Sequence, residues 1–203
     1  MTNLLLLRVG VPRGTTAEAV WDELRRHPAL QRVVGARLYR PTRGFFEPTE
    51  WIYCGDVDEP VAPPALPADR LPLRKLDLYP FRGEINPFGL DLLGSSMPMQ
   101  LVTITVVEPM IERFEAWYAE HAAALCRAPG ATGARRYWQD GVPRRYASLY
   151  YYESDEGVER YYASEARAKA AQSRLVFDPW LVDQHHAYYE DVTPPATRPV
   201  HPS

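Results

Sequence analysis

"GARLYR" (Gly35–Arg40) and "GARRYW" (Gly133–Trp138) are nearly the same hexapeptide written twice in one chain of 203 residues. The flanks say whether this is chance. A tryptophan precedes each copy, in a helical stretch that ends on a histidine: "WDELRRH" runs from Trp21 to His27 and "WYAEH" from Trp117 to His121. After each copy comes an apolar, aromatic run that ends in acidic residues, "EWIYCGDVDE" from Glu50 and "YASLYYYESDE" from Tyr146. The glycines are 98 residues apart, the tryptophans 96, and Asp58 and Asp155 97. Ordered landmarks at nearly one offset argue for an internal duplication. The period is too long for a solenoid repeat and fits two similar halves of one fold.

Working outward, the second half reads as β-α-β-β-α-β. The β-branched run Met99–Glu108 is a strand. Pro109 opens a helix at a favoured position, and the helix reaches about Arg127. Ala131–Gln139 and Arg144–Glu153 form a hairpin about Gly141. Ser154-Asp155 caps a helix over about Glu156–Ser173, and Val182–Val192 is the last strand. The first half follows the same order. Leu4–Val11 is a buried strand, and Thr15 or Thr16 caps a helix over about Ala17–His27 that Pro28 limits. Gln31–Arg40 is a strand, "PTRGFFEP" a loop and Trp51–Asp56 a strand. From Asp58 the pattern breaks, because prolines 60, 63, 64, 67 and 72 exclude a regular helix. Arg74–Arg82 is extended again. The expected division is a first half over 1–82, a Gly/Pro/Ser-rich linker or covering loop over 83–98, a second half over 99–192 and a disordered tail over 193–203. The expected fold class is α+β. Two tandem ferredoxin-like β-α-β-β-(α)-β modules, the first with its second helix replaced by the Pro-rich loop, pack as an intrachain pseudo-dimeric α+β barrel.

Composition narrows the function. The net charge is −3, and acids are mixed among the arginines, so nucleic acid and anionic membrane are not expected partners. Two cysteines, Cys54 and Cys126, make neither a disulfide framework nor a zinc motif, which fits a reduced, cytoplasmic setting. The Leu run near Met1 is broken by Arg8 and is expected to be a strand rather than a signal peptide or a span. Thirteen tyrosines and five tryptophans point to a wet core or to a ligand cavity with polar handles.

The stretch "QLVTITVVEPMIERFEAWYAEHAAALCRAPGATGARRY" (Gln100–Tyr137) resembles the dimeric α+β barrel superfamily. In that superfamily a strand leads into a helix bearing a Trp or Tyr and a Glu-His pair, then a Pro-Gly turn and an Arg/Tyr-bearing strand. Its members include antibiotic-biosynthesis monooxygenases, EthD-like proteins, muconolactone isomerases, aromatic polyketide cyclases and stress-responsive A/B barrel proteins. The resemblance spans 99–192 and, more thinly, 3–82. It implies the barrel, with one chain supplying both halves. It does not select a reaction, since the fold hosts many chemistries.

Ile111, Phe114, Tyr118, His121 and Leu125 recur at helical spacing and share one face, which must meet the sheet. His121 is therefore either a core histidine bonded to a carbonyl or an acid/base in a cavity. The helix C-terminus would favour its charged form, and the resemblance favours a functional residue there. Phe114, Trp117 and Tyr118 are expected to line such a cavity. His185 and His186 adjoin on a strand and face opposite sides, so only one can join His121. His186 is the candidate, with Tyr150 from the hairpin. Arg135 and Tyr137 share a face and could hold an enolate or phenolate oxygen, which makes them, with His121, the expected catalytic set. His27 is a weaker echo of His121. No metal-ligand spacing, phosphate loop or dinucleotide fingerprint is present, so neither a metal nor a cofactor is expected. Three functions stay open. One is a cofactor-independent enzyme on a hydrophobic, aromatic or polyketide-like molecule, doing cyclisation, isomerisation or dehydration. The others are a cofactor-free monooxygenase and a non-catalytic binding protein. The chain is expected as a monomer or homodimer.

Overall fold

The computed structural model describes residues 2–44, 49–141 and 143–195. Its frame is eight antiparallel strands: β1 (Asn3–Gly10), β2 (Val34–Gly44), β3 (Glu50–Val57), β4 (Leu73–Ile85), β5 (Met99–Val106), β6 (Ala131–Gln139), β7 (Arg144–Tyr152) and β8 (Leu181–Asp191). They close into a barrel in the order β1-β3-β2-β8-β5-β7-β6-β4. Each half contributes four neighbouring strands, β4-β1-β3-β2 and β8-β5-β7-β6, in the same internal order. The halves are sewn together by β2 against β8 and by β4 against β6. Closure removes the sheet edges on which an open half would aggregate.

The repeated hexapeptides occupy matching rungs. Arg37 is opposite Cys54, which is opposite Leu6; Arg135 is opposite Leu149, which is opposite Leu101. The two glycines have a shared task. A Cβ on Gly35, whose φ is +59°, would collide with Leu93. A Cβ on Gly133 would come within 2.9 Å of Leu92 and 2.6 Å of the Ile85 carbonyl. The segment between the halves thus seats two consecutive leucines on the paired glycines. Leu92 and Met97 are buried in the barrel core beside Leu6, Leu101, Tyr39 and Tyr137. This segment had been expected as a linker or cover over 83–98; its first three residues instead continue β4.

Strand alternation gives the barrel two buried faces. Inward residues fill the interior, and outward residues meet the helices. In β1 this makes Leu4, Leu5, Leu6 and Leu7 all fully buried, each contributing about 1.5–3 kcal/mol of transfer free energy. Outside the first sheet lie α1 (Ala17–Arg25), the short α2 (Pro28–Gln31) and the Pro-rich segment, which presents Val61, Leu66 and Leu71 to the sheet without a helix. Outside the second sheet lie α3 (Ile111–Leu125), α4 (Asp155–Tyr162) and α5 (Glu165–Arg174).

Several local expectations need correction. Pro28 does not simply end a helix; it starts α2 at the position where its missing N–H costs nothing. The segment from Pro41 to Gly44, expected as loop, extends β2 along β8, with a register shift between Pro41 and Arg43 that accommodates the proline. The residues 45–48 of that loop lie outside the described residues. The single helix expected over 156–173 is two, because the Ser164 hydroxyl accepts from Arg167 N (3.2 Å) and starts a new helix. Of the tail, Thr193 is buried and accepts from Leu38 N at 2.8 Å; residues 196–203 lie outside the described residues.

Candidate functional site

A cavity of about 330 Å³ lies between α3, α5 and the outer face of the second sheet. That size is at the lower end for ligand sites. Alternation decides which strand residues reach it: Gln100, Val102 and Ile104 from β5, Tyr150 from β7 and His186 from β8. From α3 come Phe114, Trp117, Tyr118 and His121, one helical face as the spacing required. From α5 come Arg167, Ala170, Ala171 and Arg174, again at i, i+3, i+4 and i+7. The α5 helix buries no side chain, so it is a cover rather than part of the core.

The floor is aromatic. Phe114 stacks on Tyr118 with centroids 5.3 Å apart and tilts against Trp117 at 5.5 Å. The Tyr118 hydroxyl bonds Ser148 on β7. Burial pushes the hydroxyls of Tyr118 and Tyr150 well above the usual phenol range, so both are neutral donors.

His121 lies against the Trp117 ring at 4.2 Å. Its Nδ1 is 3.4 Å from Ser173 Oγ. That hydroxyl also receives Trp117 Nε1–H at 3.3 Å and donates to the Ala170 carbonyl at 3.0 Å. A serine has one proton to give. With it on Ala170, His121 donates from Nδ1 and keeps the Nε2 lone pair. Across the cavity, Tyr152 donates to Gln100 Oε1 at 2.9 Å, and the Gln100 amide nitrogen meets His186 Nε2. In this orientation His186 accepts on Nε2. Burial first, and the Arg174 charge second, lower the pKa of His121 to about 4. Burial, then Arg174 and Arg167, do the same for His186, also to about 4. Both imidazoles are uncharged at neutral pH. This reverses the expectation that the helix C-terminus would hold His121 charged: desolvation and a facing cation outweigh a dipole effect of about 0.3–1 kcal/mol.

The structure brings together His121, Phe114, Trp117, Tyr118, Tyr150 and His186. It does not bring Arg135 and Tyr137 to them. Both point into the barrel, on the other face of the sheet, where Arg135 pairs with Asp56 at 2.7 Å and with Glu84 at 3.4 Å. Tyr137 donates to Asp56 at 3.3 Å. The outward residue between them, Arg136, lies 5.6 Å from the Tyr118 ring centroid instead. His185 faces the barrel end, accepting from Arg8 Nη1 at 3.1 Å and bonding the Tyr189 hydroxyl at 2.7 Å. His27 flanks α1 in the first half, away from this cavity. Gln100, Ser148, Arg167, Ser173 and Arg174 were missed. The spacing Arg167-x-x-Ala170-Ala171-x-x-Arg174 is visible in the sequence as one helical face, and Gln100 as the polar member of the alternating face it shares with Val102 and Ile104. Among the described residues no three His, Cys, Asp or Glu side chains gather to hold a metal ion.

No family model and no curated protein matches the chain. Solved structures do match over nearly their whole length. A ferredoxin-fold protein of Listeria monocytogenes related to antibiotic-biosynthesis monooxygenases is 8% identical, with a TM-score of 0.56 over 94% of each chain. An anthrone oxidase-like protein is 13% identical, with a TM-score of 0.59 over 93% of this chain and 91% of the other. A major regulator of staphylococcal pathogenesis is 10% identical, with a TM-score of 0.56 over 93% and 98%. At such identities the likeness is one of fold: a closed eight-stranded α+β barrel, here with both halves on one polypeptide.

Proposed function

We propose that this barrel is an enzyme that moves protons on a hydrophobic aromatic small molecule, using its own side chains and no cofactor. The observation that carries the reading is the pairing of an aromatic-lined cavity with an uncharged imidazole in its wall, His121, which keeps its Nε2 lone pair, while the neighbouring His186 is held by Gln100. A neutral imidazole has a lone pair to accept a proton from a carbon beside a carbonyl, or from a ring hydroxyl. The proton goes to the imidazole nitrogen, and the bonding pair stays on the substrate as an enolate. The enolate then faces an imidazolium, and that ion pair raises the pKa that burial had lowered. Return of the proton to a different atom completes an isomerisation. Attack of the enolate carbon on a second carbonyl of the same molecule closes a ring, and the proton goes to the new alkoxide. Tyr118 and Tyr150, held as neutral donors, steady the enolate oxygen.

A second reading, a cofactor-free oxygenase, is favoured by the likeness to an anthrone oxidase-like protein. There the enolate would pass its electrons to O2, and an anthrone plus O2 would become an anthraquinone plus water. Anthrone itself tests both. Proton–deuterium exchange at its methylene carbon reads proton removal, and oxygen uptake reads the second step. Exchange faster than in buffer, lowered ~10²–10⁴-fold in His121→Ala, is the expected result for a positioned base. Exchange without oxygen uptake supports the isomerase or cyclase reading. Exchange that matches buffer, for a folded protein that binds anthrone, would leave a binding protein.

A further inference from the structure

The cavity holds charge that proton transfer does not use. Arg167 and Arg174 stand two turns apart on α5 and both line it. Among the described residues Asp178 is the single carboxylate in the wall, and it is taken by Arg174 Nε at 3.1 Å. Two arginines against one carboxylate leave one positive charge. Arg167 has no carboxylate partner among the described residues; its guanidinium lies 5.3 Å from the Tyr162 ring centroid. The other titratable groups in the wall do not balance it, since both imidazoles and the three tyrosines, Tyr118, Tyr150 and Tyr161, are neutral near pH 7. A half-buried cation beside aromatic rings is best compensated by an anion brought in from outside.

From this arrangement we infer that the ligand is an aromatic anion, its ring on Phe114, Trp117 and Tyr118 and its carboxylate or ionised phenol on Arg167 and Arg174. The inference rests on reading the cavity as an aromatic-ligand site, and it adds the charge of the ligand. It also gives α5 a role. A helix with no fully buried side chain, held by the partly buried Ala166 and Ala170 and by Ser173, gains a further tie across the cavity from an anion on its arginines.

The test compares 2-naphthoate with its neutral counterpart 2-naphthamide, by calorimetry at pH 7 and low salt. A charge-assisted hydrogen bond is worth ~1.5–3 kcal/mol, so 2-naphthoate should bind at least ~10-fold more tightly. Arg167→Gln should bring 2-naphthoate down to the level of the amide and leave the amide unchanged, and Arg167→Lys should restore part of the preference. Equal affinities in the unmodified protein, or a preference that survives Arg167→Gln with Arg174→Gln, would overturn the anion while keeping the aromatic site. Failure of both ligands to bind overturns the anion and the aromatic reading together.

Discussion

The outer faces of the two sheets are the same surface built twice, to opposite ends. On the first sheet, Leu5 sits opposite Leu78, and Leu7 opposite Leu76. At the equivalent rungs of the second sheet, Gln100 sits opposite Tyr188, and Val102 opposite His186. Where the first has Gly55 beside Leu5, the second has Tyr150 beside Gln100. Trp21 packs on Tyr53 at 5.6 Å, and Tyr118 bonds Ser148 at the matching place. The first face is closed by apolar contact with α1 and the Pro-rich segment. The second keeps polar groups and a cavity under a helix that buries no side chain. One copy is filled as a core and the other keeps a cavity.

The comparison is sharpest at His186 and Leu7. Turning the second face into the first with His186→Leu takes a polar group out of the cavity wall and should weaken substrate binding ~10-fold, about the worth of one hydrogen bond. The folded state should change little, since a leucine already serves at the equivalent Leu76. Leu7→Ala should do the reverse. It removes a fully buried side chain and should cost ~2–5 kcal/mol in denaturant unfolding while leaving substrate affinity intact. If Leu7→Ala impaired binding as much as His186→Leu, the division between the faces would fail.

Acid should act on one half more than the other. His121, His185 and His186 belong to the second half, and their pKa values are lowered to about 4, 3 and 4. For all three, burial is the first cause; Arg8 adds to it at His185, and Arg174 at the others. The unfolded chain takes up these protons near pH ~6.5, before the folded one does. Stability is therefore fully present above ~6.5 and is lost as the pH falls from there toward 4. Urea midpoints at pH 7.5 and pH 5 read the drop. Hydrogen exchange should place the early opening in β8 and α5 rather than in β1 and α1. A midpoint that did not move would mean the imidazoles are hydrated.

The smallest expected effect is at Ser173. Ser173→Ala removes the acceptor that holds the His121 proton on Nδ1, leaving the mass of α5 nearly unchanged. The nitrogen shifts of His121 in an NMR spectrum should move from a single Nδ1–H tautomer toward a mixture, with any loss of turnover below ~10-fold. An unaltered tautomer would show that the hydroxyl does not orient the ring. At the barrel end, by contrast, His185 is oriented by Arg8, which can only donate, so Ser173→Ala should leave its signals in place.

Much of this was legible before the structure. The repeated hexapeptide gave two halves, and the period of the Pro109 helix gave the face that carries Phe114, Tyr118 and His121. The prolines after Asp58 ruled out a helix there. The landmark tryptophans misled by one residue, because Trp21 matches Tyr118 in its contact rather than Trp117. Arg135 and Tyr137 misled for a deeper reason. Alternation shows that two strand residues share a face, but in a closed barrel both faces are buried, and local sequence does not say which looks at the helices. The same holds for His185 and His186, where the sequence set them on opposite sides and only the β5–β8 pairing put His186 beside Gln100.

What the sequence determined by itself is what nearest neighbours along the chain decide. Caps, helical period, strand alternation and proline breaks act through bonds and contacts a few residues long. What only the tertiary structure decided is how those pieces face one another. Which side of β6 is interior, how far burial lowers the pKa of His121, and that Leu92 and Leu93 seat on Gly133 and Gly35 all depend on groups tens of residues away. Those contacts exist only once the barrel has closed, and so does the desolvation that leaves two imidazoles neutral beside two arginines.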